Sequence, residues 1–289
     1  MTRRYAAVIV LALLFLAALV GQRFWGSDPY AQNPAIRLLD PSLAHPLGTD
    51  NFGRDLLARL VVGARWSLLG AAIVCGGTAV VGFAVGALAA TGNRTTDDAI
   101  GRTVEAMLAM PGLVMALALS SVLGPSFGNL IFALVATSWP SYARLSRALI
   151  LKERNQNYVE GAVAAGAGQV RIVTRHILPN VLGPAVVLAT SDFGKVILGL
   201  AALSFLGLGM QPPTPEWGAM INEARGYFQS HPWQMIAPGL CILLTVLAVN
   251  LLGDALRDAL DPRMRRRTAR QSRKSTPRVV VRQAASQSL

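Results

Sequence analysis

The run WSLLGAAIVCGGTAVVGFAVGALAAT, from Trp66 to Thr91, contains no Asp, Glu, Lys or Arg. A hydrocarbon core of about 30 Å is crossed by about 20 helical residues, so this stretch alone is long enough to span a bilayer. Its Gly82 and Gly86 have the small-xxx-small spacing that lets two helices approach closely. The same texture recurs on both sides of it. The chain of 289 residues is 53% hydrophobic and 15% charged, with a mean hydropathy of +0.44. A soluble domain carries about 25% charged residues. Six segments read as spans: Tyr5–Val20, Trp66–Thr91, Thr103–Leu123, Asn129–Tyr142, Val181–Leu208 and Trp233–Leu252. The fourth is short and is interrupted at Trp139-Pro140. Pro111 and Pro184 are compatible with spans because neighbouring helices can satisfy the freed backbone groups. The expected fold is an all-α integral membrane protein with about six transmembrane helices.

The net charge of +12 suggests nucleic acid only if it is spread over a soluble surface. It is not spread. One side of the expected topology holds Arg3, Arg4, Arg94, Arg102, Arg144, Arg147, Lys152, Arg154, Arg171, Arg175 and ten further Lys/Arg between Arg257 and Arg282, twenty in all. The other side holds six: Arg23, Arg37, Arg54, Arg59, Arg65 and Arg225. Basic residues accumulate on the cytoplasmic side, so both termini are expected there, and no nucleic-acid partner is expected. Arg3-Arg4 followed by an apolar run has the look of a secretory signal. No clean small-x-small cleavage site follows at Leu19-Val20-Gly21-Gln22-Arg23, so a retained first span is expected. The tail beyond Asp261 is basic, polar and poor in large apolar residues, which predicts disorder. Its Arg263, Arg265, Arg266 and Arg267 serve as a topology anchor or hold anionic membrane lipid.

Cys75 and Cys241 both fall inside spans and read as core residues. His45, His176 and His231 have no metal-ligand spacing, so no metal site is expected. The chain has no Gly-x4-Gly-Lys-Ser/Thr, no Gly-x-Ser-x-Gly and no His-Glu-x-x-His. No catalytic residue is assigned, and ATP hydrolysis through a P-loop is excluded for this chain.

Two stretches between spans carry most of the remaining information. The first is His45-Pro46-Leu47-Gly48-Thr49-Asp50-Asn51-Phe52-Gly53-Arg54-Asp55. From Phe52 to Val62 the pattern predicts an amphipathic helix in the membrane interface, with Phe52, Leu56, Leu57, Leu60 and Val61 on one face and Arg54, Asp55 and Arg59 on the other. It reads equally as a lead-in to the next span or as a gating element. The second is the loop from Arg144 to Asn180, far longer than a hairpin needs. Its centre, Tyr158-Val159-Glu160-Gly161-Ala162-Val163-Ala164-Ala165-Gly166-Ala167-Gly168, predicts a short helix of small residues ended by the glycines. Arg171, Arg175 and Pro179 then lead back to the membrane through a second helix start.

The run from Glu160 to Pro179 resembles the EAA loop of ABC importer permeases, with Glu160, Ala162, Gly166, Leu178 and Pro179 in register and Gly161 and His176 departing from it. The resemblance extends over nearly the whole chain to the dipeptide/oligopeptide/nickel branch, in particular its second permease subunit. The His45-Pro46-Leu47-Gly48-Thr49-Asp50 motif with Gly53-Arg54-Asp55 is similar to that branch's external signature. So are Ala201-Ala202-Leu203-Ser204-Phe205-Leu206-Gly207-Leu208-Gly209 and Gln211-Pro212-Pro213-Thr214-Pro215-Glu216-Trp217-Gly218. The resemblance implies a type I ABC importer permease fold in a bacterial cytoplasmic membrane. It implies a homologous second permease subunit, cytoplasmic ABC ATPase subunits that bind ATP-Mg, and an extracytoplasmic solute-binding protein. No cofactor is expected on this chain itself. Coupling to the ATPase falls to Glu160, Gly161, Ala162, Gly166, Arg171 and Arg175. The chain then divides into a first helix at 1–24, an external segment with the interfacial helix at 25–65, a permease core of five spans at 66–256 containing the coupling loop 144–180, and a tail at 257–289.

Asp192 and Lys195 depart from the apolar character expected of the fifth span, and Leu200 stands where the family's Ala-Ala-Leu-Ser run is usually preceded by Glu. Three residues apart on a helix, Asp192 and Lys195 share a face and can pair. Charges at this depth normally face protein or a water-filled cavity. They form either a self-neutralising packed pair or part of the translocation pathway, where they would meet the charged ends of a peptide-like substrate. A stand-alone secondary transporter or channel is the alternative function, and a proton- or sodium-coupled chain would be expected to carry several intramembrane acids. Asp192 is the one clear acid well inside a span.

Overall fold

The computed structural model describes residues 26–260. The first span expected at 1–24 and the tail beyond residue 260 lie outside the described residues. Helices account for nearly all regular structure in between. The first, α1, runs from Leu56 to Thr91, 36 residues without a break. Asp55 caps it by accepting from the Ala58 amide at 2.8 Å. Two helices follow, α2 (Arg94–Leu108) and α3 (Gly112–Leu123). Then come α4 (Phe127–Arg154), the short α5 (Asn157–Ala164), α6 (Leu178–Phe205), the short α7 (Trp217–Ala224) and α8 (Trp233–Leu260).

Three of these helical stretches are long and apolar enough to cross a bilayer: Leu56–Thr91, Ile172–Phe205 and Trp233–Asp258. The pair α2 and α3 makes a fourth if counted as one broken span. The expected single span Thr103–Leu123 is therefore corrected: its two halves meet at 91°. Pro111 causes the break, since it occupies the N-cap of α3 in extended backbone and cannot continue the preceding helix. At Pro140 the outcome is the reverse. The expected interruption of the fourth span is absent, and α4 runs through the buried proline as one helix of 28 residues. Buried among neighbouring helices, that position does not require the backbone to stop.

The interfacial helix expected at Phe52–Val62 is also corrected. Residues from Leu56 onward are the first turns of α1, and the polar face expected to meet solvent is inside. Arg54, Asp55 and Arg59 are 1%, 4% and 1% exposed, whereas Phe52 is 42% exposed. The periodicity is that of a helix whose polar side is buried, with its charges met by His45 and Asp50 just upstream and by Glu223 far along the chain.

In lipid there is no hydrophobic drive between helices, and close approach of backbones has to supply the packing. Here α1 and α4 meet through the small residues noted above. A Cβ on Gly82 would stand 2.7 Å from the Trp139 carbonyl oxygen, and one on Gly86 3.0 Å from the Arg147 amide nitrogen. Trp66 and Phe127 close the other end of the same contact edge to face, with ring centroids 5.6 Å apart. Along α1 the apolar interior falls into three layers. Leu60, Leu68, Ile197, Trp217 and Ile242 fill the Leu56 end. Val74, Leu130, Leu134, Leu200 and Leu203 fill the middle. Ala90, Ile150, Val159, Ile172, Ile177 and Val181 fill the Thr91 end. Large apolar side chains such as Val80, Leu88, Val122, Phe132 and Leu243 point outward, as a lipid-facing surface requires.

Filling the glycine contact should break it. Gly86→Leu is expected to destabilise the detergent-solubilised protein by about 1–3 kcal/mol, the usual cost of overpacking. Gly101→Ala, whose added methyl meets open space, should melt no lower than wild type. A Gly86→Leu protein with an unchanged melting temperature would refute the close approach of α1 and α4.

Candidate functional site

The three sequence signatures fold into one layer at the Leu56 end of the bundle. Asp50 and Glu223 hold two buried guanidinium groups between them. Arg54 Nε donates to Asp50 Oδ2 at 2.6 Å, and its Nη2 donates to Glu223 Oε2 at 2.6 Å. Arg59 Nη2 donates to the same Glu223 oxygen at 2.8 Å, and its Nε lies 3.3 Å from Asp50 Oδ2. Arg59 also donates to the Pro213 carbonyl at 3.4 Å. Two cations and two anions neutralise one another, which is what burial of such groups demands. Beside them Glu216 is fully buried, caps α7 by accepting from the Gly218 and Ala219 amides at 3.0 Å, and accepts from the Ser67 hydroxyl at 2.8 Å. Trp217 donates its indole N–H to the Leu60 carbonyl at 3.1 Å. Gly218 lies so close to α6 that a Cβ there would come within 2.5 Å of the Ala201 carbonyl oxygen. Sequence reasoning placed Arg54 and Arg59 outside the spans and missed that they meet Glu223. The available signal was a pair of arginines five residues apart in a segment flanked by apolar residues.

At the Thr91 end stands the loop singled out for coupling. Helix α5 is anchored by Val159, which is buried, and it presents Glu160 and Gly161 to the exterior with Ala162 half-buried. It ends at Gly166, whose φ of +79° is the left-handed conformation that favours glycine. The Gly166 amide donates to Val163 at 2.9 Å and the Ala167 amide to Ala162 at 3.0 Å, the paired bonds of a Schellman cap. The chain then re-enters helix at Gln169–Arg171, passes through a π-helical segment, Ile172–Ile177, and continues directly into α6. Arg171 and Arg175 are exposed along this return. Tyr158 clips the pieces together, donating to Glu153 at 2.6 Å and accepting from Asn180 at 3.1 Å. Partial burial, and then the Glu153 hydrogen bond, raise this phenol above its ordinary range. Arg154 donates to the Ala90 carbonyl at 2.6 Å, fixing the end of α4 to the end of α1.

Asp192 and Lys195 are brought together, about 21 Å along α6 from its start at 1.5 Å per residue. The Lys195 ammonium donates to Asp192 Oδ1 at 2.8 Å. Both line a cleft of about 420 Å³ enclosed by α1, the bend between α2 and α3, α4 and α6. They are thus distant from the coupling residues and belong to a separate feature.

A bundle of broken and continuous spans, with a small-residue loop hooked to one end, is the architecture of an importer permease. The comparisons with known proteins agree. A family model described as the inner membrane component of binding-protein-dependent transport systems matches residues 82–266, and the chain belongs to that family. A dipeptide transport system permease protein of Escherichia coli is 44% identical over 269 residues, covering 89% of this chain and 88% of that one. A di/tripeptide transport system permease protein of Pseudomonas aeruginosa is 47% identical over 219 residues, covering 76% and 72%. A dipeptide transport system permease protein of Alkalihalophilus pseudofirmus is 41% identical over 258 residues, covering 89% and 85%. Among solved structures, the MetNI methionine ABC transporter in an inward-facing form shares the fold, with a TM-score of 0.58 at 20% identity, covering 70% of this chain and 96% of that one. The chain is a multi-pass membrane permease of the ABC importer class, and the alternative of a stand-alone transporter or channel is set aside.

Removing one anion from the buried charge layer should be costly, because it leaves a guanidinium short of a partner. Glu223→Gln is expected to destabilise the solubilised protein by about 3–5 kcal/mol. A denaturant titration in detergent reads this directly, and a shift below about 1 kcal/mol would mean that the layer is wetter than its burial indicates.

Proposed function

We propose that this chain is one of two membrane subunits of an ATP-driven importer of di- or oligopeptides, forming the translocation path with a homologous permease. The observation that carries the coupling part of this reading is the hook at the Thr91 end: a rigid helix of small residues, capped at Gly166 and exposed on its outer face. A cytoplasmic ATPase subunit would receive α5 in a cleft, with Glu160, Gly161, Ala162 and Gly166 at the contact and Arg171 and Arg175 beside it. ATP-Mg would be bound by the ATPase pair and by no group on this chain. Peptide as the cargo is supported by the named relatives, which match most of this chain. An external binding protein would deliver that cargo to the Leu56 end. Closure of the ATPase pair would move the hooks and rock the two permeases about the cleft that holds Asp192 and Lys195. The excess of basic residues at the Thr91 end supports a cytoplasmic position for that end and, with six spans, for both termini.

Gly161 offers the cleaner test of coupling than Gly166, whose left-handed backbone would strain any replacement. A Cβ on Gly161 meets open space. Gly161→Trp should therefore fold and assemble, yet lower ATP hydrolysis stimulated by loaded binding protein by at least about ten-fold, the loss expected when a contact at the centre of an interface is blocked. Wild-type stimulation in that variant would refute the docking assignment.

Orientation is tested separately, in a Cys75→Ala, Cys241→Ala background. A cysteine at Leu43, which is fully exposed, should react with an impermeant thiol reagent added to intact cells. One at Val163, which is 57% exposed, should react only after lysis. The opposite pattern would invert the topology.

A further inference from the structure

The cleft between α1, α4 and α6 carries more chemistry than a packed charge pair needs. Asp192 is the half-buried member, with its side chain 16% exposed, while the Lys195 side chain is 80% exposed. A lysine ammonium has three donors, and Asp192 accepts one of them. Lys195 itself lines the cleft, so the other two donors are within reach of an occupant. A charge exposed to lipid at mid-span is costly, whereas one lining an aqueous route is not. One side of the wall around it is polar: Thr137, Ser138, Ser141 and Tyr142 of α4 line the same space. Thr78, on the α1 side of the cleft, is 2% exposed, and its hydroxyl has no hydrogen-bond partner among the described residues. A buried hydroxyl in that condition calls for a polar occupant.

We propose that Lys195 is a carboxylate-receiving subsite on the transport route, taking the C-terminal carboxylate of a passing peptide while Asp192 holds the ammonium in position. The ligand chemistry follows from the groups present. A single ammonium already paired with its own aspartate suits a monoanion better than a phosphate, which carries more negative charge than one such pair can meet. The cleft volume of about 420 Å³ is that of a small-molecule site. Its hydroxyls can meet peptide amides, and Met107, Met110 and Leu134 supply an apolar wall for side chains. The pairing of the ammonium with Asp192 also explains why the contact can be released. A full unpaired charge would hold the carboxylate too strongly for a site that must empty.

The inference rests on the reading of this chain as a peptide permease, and the experiment separates the two. The complete importer, with its partner subunits and binding protein, is reconstituted in proteoliposomes. Uptake of trialanine and of trialanine amide is measured at concentrations that saturate the binding protein. Discrimination by the binding protein is common to wild type and variant and cancels in their ratio. Lys195→Met is expected to slow uptake of the free acid about ten-fold, as loss of a charge-assisted hydrogen bond does, and to leave uptake of the amide at its wild-type rate. Equal losses for both peptides would overturn the subsite, because they would mean that Lys195 supports the fold or pairs with the second permease. So would no loss for either. A wild-type complex that carries neither peptide would overturn the peptide reading and the subsite with it.

Discussion

Two guanidinium groups are buried at one end of this bundle, and the arrangement of that end follows from the need to neutralise them. Burying an ion costs several kcal/mol even after relaxation, so Arg54 and Arg59 can sit at 1% exposure only if Asp50 and Glu223 reach them. Asp50 comes from the segment before α1 and Glu223 from α7, so the requirement draws together pieces more than 160 residues apart in sequence. Glu216 and Trp217 extend the same layer through Ser67 and Leu60. Directional bonds in this layer fix how α7 sits on α1 and how the return from α6 is closed. An apolar layer of similar volume would pack as well but would tolerate sliding, since dispersion contacts have no preferred direction.

At the other end the controlling factor is size. Gly82 and Gly86 allow α4 to lie against α1 with backbone nearly touching backbone, and Ser146 of α4 sits against that glycine pair. The α5 hook is anchored to the resulting core by Val159 and Ile172 and clipped by Tyr158. A force on the hook therefore acts on a joined body of α1, α4 and α6 rather than on a loose loop.

Three of the spans read from hydropathy, the second, fifth and sixth, survive as long apolar helices, because an uninterrupted apolar run of the required length has few alternatives in water or lipid. The break at Pro111 and the continuity at Pro140 were not legible, since a proline bends or is absorbed according to its neighbours, and sequence does not show neighbours. The family signatures were legible as three separate strings, and their convergence was not, because it depends on pairing between Arg54 and Glu223 across the chain. The charges at Phe52–Val62 misled for a related reason: an amphipathic pattern marks two unlike faces without saying that the polar one meets water. For Asp192 and Lys195 the i,i+3 spacing was sufficient to foresee their contact. The unequal exposure of the two side chains needed the surrounding helices.

With 36 residues at 1.5 Å each, α1 is about 54 Å long, well beyond the roughly 30 Å of a hydrocarbon core. Its Leu56 end is clamped by the ionic layer, and its Thr91 end carries the carbonyl that Arg154 grips. A rod held at one end is a lever. A tilt of about 10° about the Leu56 end would carry the Thr91 end through about 9 Å. That is close to the 8–10 Å that separates the axes of neighbouring packed helices. A rotation small enough to leave most side-chain contacts near the clamp intact is thus enough to carry the Thr91 end, with α4 joined to it, through about the width of one helix. The reach of the motion is set by the length of the helix, with no need for softness anywhere along it.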